Sequence, residues 1–378
     1  MKHSLLMSAL AAQLLAGAVV FAAPGLAQDA KPNPLAETPD SGTMQRADKE
    51  DMAVVLKKLQ DLGAKPLETL SVEAARTQPT PADAVAAVLK DQGKTPPVPA
   101  VKKQDMTYPI ADGTQPIRIY TPENAGEGPL PVIVYYHGGG WVIADLDTYE
   151  ASALALATKT GAIVASVEYR HAPEHKFPAA HEDSFAAYKW VLENAGSFGG
   201  DPARIALAGE SAGGNLATNV AIMARDEKLQ MPLHMLLVYP VAGTDMTTPS
   251  DIANQNAVPL SKGGMEWFVK HVLAKPEDAM SPMLNLTTKA DLTGLPPATI
   301  ITAEIDPLLS EGKMLADRLQ EAGVETNYQN NDGVTHEFFG MDAVLDDAKR
   351  AQEVAAEDLK KAFSASDATG SVETEPAK

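Results

Sequence analysis

Apolar, β-branched runs alternate with helical patterns along most of this chain, and nothing else in the sequence restricts the fold as much. The runs fall at Pro116–Tyr120, Val132–His137, Ala162–Tyr169, Ile205–Gly209, Met235–Tyr239, Ala298–Asp306 and Val324–Gln329. Helical spacing of apolar residues covers Thr148–Thr160, Ala179–Asn194, Ala212–Lys228, Leu308–Ala322 and Asp342–Phe363. Strands that read as near-continuous apolar runs are buried on both faces, so helices must cover both sides of a mostly parallel sheet. The expected fold class is therefore α/β. One stretch breaks the rhythm: residues 245–292 carry no strand signal and only one helical pattern, around Met265–Leu273.

The two ends differ from this body. Residues 1–27 hold one charged residue, Lys2, and an apolar run of ten from Leu14 to Ala23 that stops at Pro24. A run this short falls well below the ~20 residues needed to span a bilayer. It predicts a signal peptide cleaved near Ala27, and hence an exported protein, periplasmic or secreted. Residues 28–44, with Pro32, Pro34, Pro39 and Gly42, read as a flexible leader. Within 45–95, Met52, Val55, Leu56, Leu59 and Leu62 mark one face of a helix that stops at Gly63, and a second helix is expected over Ala82–Lys90. Together with the 245–292 insertion these helices would form a lid over one end of the sheet. The catalytic body then spans 96–363, and 364–378 is expected to be a disordered tail.

Composition removes whole classes of chemistry. With no Cys among 378 residues there can be no disulfide, thiolate zinc site, iron–sulfur cluster or cysteine nucleophile. Lys and Arg number 31 against 50 Asp and Glu, a formal charge of −19, which argues against nucleic acid or an anionic membrane as partner. The chemistry has to rest on Ser, His, Asp and Glu.

Ser211 stands where such chemistry is possible. A buried strand runs into Gly209-Glu-Ser-Ala-Gly213 and a helical run follows at once. Gly-x-Ser-x-Gly between strand and helix is a nucleophile elbow, a turn so tight that its flanking positions must be very small. The helix behind it points its free N–H groups at the site and favours developing negative charge. Upstream, the strand Val132–Tyr136 ends in His137-Gly-Gly-Gly-Trp141. Three bare glycines let backbone N–H groups approach a substrate oxygen, as stabilisation of an oxyanion requires. A phosphate loop would need a Lys-Ser/Thr ending, and Trp141-Val142 follows instead.

A serine nucleophile needs a histidine base and an acid to orient it. His336 lies between the last strand and the last helix, and Asp306 closes the preceding strand before Pro307. Glu304, two residues back, competes for the acid role, but Asp306 at the strand exit is better placed. The order Ser211, Asp306, His336 suits an α/β-hydrolase and not a chymotrypsin-like or subtilisin-like chain. His171, His175 and His181 cluster after a strand, but the adjoining prolines force a turn and no carboxylate-rich partner segment follows. They are read as structural or surface residues, with no metal site.

These motifs resemble the hormone-sensitive-lipase-like esterases, the bacterial family IV group of the α/β-hydrolase fold. The resemblance spans about residues 45–363 and is carried by His137-Gly-Gly-Gly-Trp141, Tyr169-Arg-His-Ala-Pro-Glu-His175, Asp201-Pro-Ala-Arg-Ile205, Gly209-Glu-Ser-Ala-Gly-Gly214, Asp306-Pro-Leu308 and His336-Glu-Phe338. It implies an oxyanion hole formed by the backbone N–H groups of Gly138, Gly139 and Ala212, and a cap made of residues 45–95 and roughly 245–292. The chain departs from the family pattern at Glu210, where Asp is usual, and at His171, where the motif commonly has Leu. The implied activity is hydrolysis of small or short-acyl-chain carboxylic esters through an acyl-enzyme, without cofactor. A lipase, an amidase or a non-catalytic binding relative are the alternatives. The expected partner is a small-molecule ester, without stable membrane association, and the chain is either a monomer or a homodimer.

Overall fold

A computed structural model describes residues 49–95, 98–126 and 128–370. The proposed signal peptide, the leader and residues 371–378 of the tail lie outside the described residues. Eight strands form one sheet in the order β1-β2-β4-β3-β5-β6-β7-β8. β1 (Val101–Ile110) and β2 (Gly113–Pro122) form an antiparallel hairpin that attaches antiparallel to β4 (Ile163–Val167). From β4 onward the sheet is parallel, through β3 (Leu130–Tyr136), β5 (Gly200–Glu210), β6 (Met235–Val238), β7 (Ala298–Ile305) and β8 (Thr326–Thr335).

Alternation along the strands divides the core into two layers. Val132, Val134 and Tyr136 of β3 face one side, with Ile205 and Leu207 of β5, where α5 (Ala179–Asn194), α6 (Ala212–Asp226) and α9 (Leu309–Glu321) pack. Ile133 and Tyr135 face the other side, with Ala206 and Ala208, against α4 (Glu150–Thr160) and α10 (Asp346–Gly370).

The segments expected to form a lid do not share one layer. α1 (Glu50–Asp61) and α3 (Pro81–Asp91) join the α4/α10 side through Met52, Val55, Val85 and Val88. α3 is set by a capping box, Thr80 and Asp83, with Pro81 in its first turn. Between them, a short turn of helix at Leu67–Thr69 and α2 (Val72–Thr77) pack on the opposite side. There they meet the insertion, whose helices are α7 (Pro249–Ala253) and α8 (Lys262–Val272): the Trp267 indole donates to the Leu70 carbonyl at 3.0 Å.

Two elements depart from the sequence expectation. β1 was not anticipated, because its outer positions are mostly polar and exposed; Tyr108 is buried, its hydroxyl donating to the Glu168 carbonyl at 2.6 Å. The last helix was expected to end at Phe363 but continues to Gly370, since no Gly or Pro interrupts 364–369. Seven residues assigned to the tail therefore belong to α10. Among the described residues no helix is long and apolar enough to cross a membrane.

Candidate active site

The Gly-x-Ser-x-Gly segment joins β5 to α6 as the strand–helix context demands. Ser211 sits at the cap of α6 with φ 56° and ψ −118°, a conformation that non-glycine residues rarely adopt and that costs on the order of 1–3 kcal/mol. It is held by its own N–H, which donates to the Val238 carbonyl at 2.9 Å. A Cβ at Gly209 would stand 2.1 Å from the Gly213 carbonyl, and one at Gly213 would stand 1.9 Å from that of Tyr136. Backbone occupies both spaces, so glycine is obligatory at each.

His336 follows directly on β8 and links the other two residues. Its Nε2 is 3.0 Å from Ser211 Oγ and its Nδ1 is 2.7 Å from Asp306 Oδ2. Asp306 is fully buried, and its second oxygen accepts the Leu308 N–H at 2.9 Å. The side chain of Asn254, the residue that caps the C-terminus of α7, donates to the Asp306 carbonyl at 3.1 Å, so the insertion buttresses this strand end. Glu304 turns elsewhere: it accepts the Gly333 N–H at 2.7 Å and serves the β7–β8 pair. Burial favours the neutral imidazole of His336, but the Asp306 carboxylate outweighs it and holds the pKa above the ordinary histidine value.

Facing Ser211, the glycine loop leaves the end of β3 with Gly139 at φ 87° and Gly140 at φ 57°. A Cβ on Gly139 would lie 2.2 Å from the Ile143 carbonyl, and one on Gly140 would run into Phe268 of α8. The N–H groups of Gly138, Gly139 and Ala212 have no acceptor among the described residues.

Several residues around this line carry no sequence motif of their own. Glu210 is buried and accepts from Tyr135 at 2.6 Å and from Tyr239. Burial pushes its carboxyl up to about 7. The Tyr239 ring lies 4.4 Å from that of His336. Glu337 accepts the Tyr149 hydroxyl at 2.5 Å and places an oxygen 3.9 Å from His336 Nε2. Of these, Glu210 was singled out in the sequence as a departure from the family pattern, and Glu337 stood in the quoted His336-Glu-Phe338 motif without a role. Tyr149 and Tyr239 offer no such signal.

The histidines that cluster in the sequence, read there as structural or surface residues, are spread apart in the structure. His181 is buried and bonds Asn215 at 2.9 Å, with burial holding its pKa down to about 4. His175 is exposed. His171 instead stands beside His137 and Glu168. Two surface clefts, of about 330 and 600 Å³, are lined by Lys103, Asp105, Arg118, Asp147 and Glu150 and by residues of α2 with Glu174. Neither reaches Ser211, which is only 5 % exposed.

Comparison with known proteins identifies the family and the fold. The sequence profile of a family described as alpha/beta hydrolase fold matches residues 133–340. A carboxylesterase of Mycobacterium tuberculosis is 41 % identical over 72 % of this chain and 88 % of its own length. An ethyl acetate hydrolase of Pseudomonas putida is 30 % identical over 78 % of this chain and 92 % of its own. The solved structure of a hyperthermophilic esterase from Pyrobaculum calidifontis superposes with a TM-score of 0.72 at 36 % identity, covering 82 % of this chain and 97 % of that one. The chain therefore belongs to the hormone-sensitive-lipase-like, family IV carboxylic-ester hydrolases of the α/β-hydrolase fold.

Proposed function

We propose that the protein hydrolyses small, short-acyl-chain esters with Ser211 as nucleophile, His336 as base and Asp306 as the acid that orients it. The observation that carries this reading is the continuous hydrogen-bonded line from Ser211 through His336 to the buried Asp306. His336 takes the hydroxyl proton as Ser211 Oγ attacks the ester carbonyl carbon. The oxyanion so formed accepts from the N–H groups of Gly138, Gly139 and Ala212, donors already fixed in place, each worth about 10²–10³ in rate. Collapse of the tetrahedral intermediate breaks the bond to the alkoxy oxygen, which leaves with the proton from His336. Water then attacks the acyl-serine by the same route and releases the acid. Asp306 holds the imidazole tautomer and stabilises its charged form. Glu210, locked between two tyrosine hydroxyls, supports the turn and takes no proton from the nucleophile.

In this reading the catalytic body runs from residue 96 to the end of α10 at Gly370, and 45–95 with 245–292 form the cap. Ser211 is only 5 % exposed, so the path of a substrate to it is narrow. The preference for short acyl chains rests on the family and on a relative named for hydrolysis of ethyl acetate. Export rests on the sequence of residues 1–27 alone.

Ser211→Ala is expected to leave a folded protein whose hydrolysis of p-nitrophenyl butyrate falls by about 10⁴-fold or more, towards the uncatalysed rate. Substantial turnover by that variant would remove Ser211 from the mechanism. A series of p-nitrophenyl esters from acetate to palmitate tests the substrate class: kcat/KM is expected to peak at short chains, and a maximum at ten carbons or beyond would make the protein a lipase.

A further inference from the structure

A second cluster of titratable groups lies behind the glycine loop. Tyr136 and Val167 pair across the parallel strands β3 and β4, so His137 and Glu168, the next residues, leave the sheet side by side. Three residues further on, His171 turns back towards them. Glu168 Oε1 lies 3.5 Å from His137 Nε2 and 3.2 Å from His171 Nε2, and the three atoms lie within 4.8 Å of one another.

The hydrogen positions make this arrangement incomplete by itself. His137 is fully buried, its ring stacked on that of Tyr169 at 4.4 Å. Its Nδ1 is 2.9 Å from the Gly138 carbonyl, which can only accept, and 3.3 Å from the Tyr169 hydroxyl, which has closer acceptors in the His137 and Gly138 carbonyls; the shorter contact assigns the hydrogen to Nδ1. In the neutral ring this leaves a lone pair on Nε2, and it points towards a carboxylate oxygen. Neither this Nε2 nor that of His171, both shut off from solvent, has a hydrogen-bond partner. Two imidazole nitrogens and a carboxylate oxygen thus face one space with no hydrogen bond formed among them, an arrangement that a cation would stabilise.

The dimensions suit a particular class of cation. Four ligands held tetrahedrally at about 2.1 Å stand about 3.4 Å from one another, the spacing found on two edges here, and two imidazoles with one carboxylate form a donor set that zinc accepts, with a fourth position for water. A ligating histidine usually donates its other N–H to a carbonyl or carboxylate, and His137 already does so to Gly138. We propose that His137, Glu168 and His171 bind a divalent transition-metal cation of the zinc class. The ion ties the glycine loop to the end of β4. It lies outside the reacting groups and acts by position: the Gly138 carbonyl that His137 holds belongs to the same peptide unit as the Gly139 N–H. Only this last coupling rests on the oxyanion role proposed for Gly139; the binding itself does not.

The full chain, stripped with a chelator, is titrated with Co²⁺ at pH 7.5 and followed by visible absorption, with Zn²⁺ binding measured by calorimetry and by the shift in Tm. The expected result is one equivalent per chain, intense bands of four-coordinate Co²⁺, and a Tm raised by Zn²⁺. His171→Leu, which restores the residue common in the family motif, and Glu168→Gln are expected to weaken binding roughly tenfold or more. His336→Ala is expected to bind as the parent does. Absence of a one-equivalent site would overturn the proposal, leaving a proton alone between His137 and Glu168. So would unchanged binding in both His171→Leu and Glu168→Gln, or loss of binding in His336→Ala, which would place the ion at the serine site. Each variant's folding is checked by circular dichroism, and either of the two site variants suffices if the other fails to fold.

Discussion

Asp306 carries a consequence that can be read in a pH profile. In the proposed mechanism the base must be neutral to accept the serine proton, so kcat/KM is expected to rise with pH through the pKa of His336, which Asp306 holds above about 6.5. Asp306→Asn should cut kcat by several orders of magnitude and move the rising limb of the residual activity to lower pH. Glu304→Gln should leave that limb where it is, because Glu304 bonds the Gly333 N–H and not His336. Glu210 makes a separate prediction about stability. Its folded pKa, raised by burial to about 7, exceeds its ordinary value of 4.5, so the folded state binds the proton more tightly. Its contribution is fully present below about pH 4.5 and is lost as the pH climbs to about 7. Glu210→Gln should flatten this part of the Tm-versus-pH curve. The hydrogen-bonded meeting of Ser211, Asp306 and His336 could be anticipated from the sequence because each lies in a short local signal: a glycine elbow, a strand exit before proline, a loop before the last helix. Those of Glu337 with Tyr149, and of Glu168 with His137, could not, since each pairing exists only once segments distant in the chain meet.

Among the elements, the parallel strands and the long helices were plain in the sequence, because burial on both faces gives strands an unbroken apolar signature. β1 escaped because a hairpin strand at the sheet edge buries little: Lys102, Lys103, Gln104 and Asp105 are all exposed. The split of the N-terminal helices between two layers was equally hidden, since an amphipathic helix shows that it has an apolar face and not which surface receives it. Contacts settle the matter for the α2–α8 side. Arg76 of α2 donates to the Val142 and Ala172 carbonyls and to Glu174, while Trp267 of α8 packs on Phe268 and bonds Leu70. Trp267→Ala removes both the indole packing and its hydrogen bond beside the glycine loop. It should destabilise the protein by about 3 kcal/mol in urea unfolding and alter KM more than kcat, because it loosens the contact between α8 and Leu70 without touching the residues proposed to react.

At the scale of the molecule, the three residues proposed for catalysis stand at the ends of β5, β7 and β8, all on one side of β3 in the sheet order. The glycine loop comes from β3 itself, and β5 can pair with it only after the chain has travelled through α4, β4 and α5. Such pairings close long loops, and parallel sheets are slow to assemble for that reason. No two adjacent strands carry both His336 and the glycine loop: β5, β6 and β7 lie between β3 and β8. In a refolding experiment from urea, far-ultraviolet dichroism should return early as the helices form, while esterase turnover should appear only with the slowest phase. Turnover keeping pace with helix formation would contradict that order. The strand order therefore makes enzymatic activity a clock for the last event of folding: a chain that hydrolyses its ester has already closed its sheet from β3 to β8.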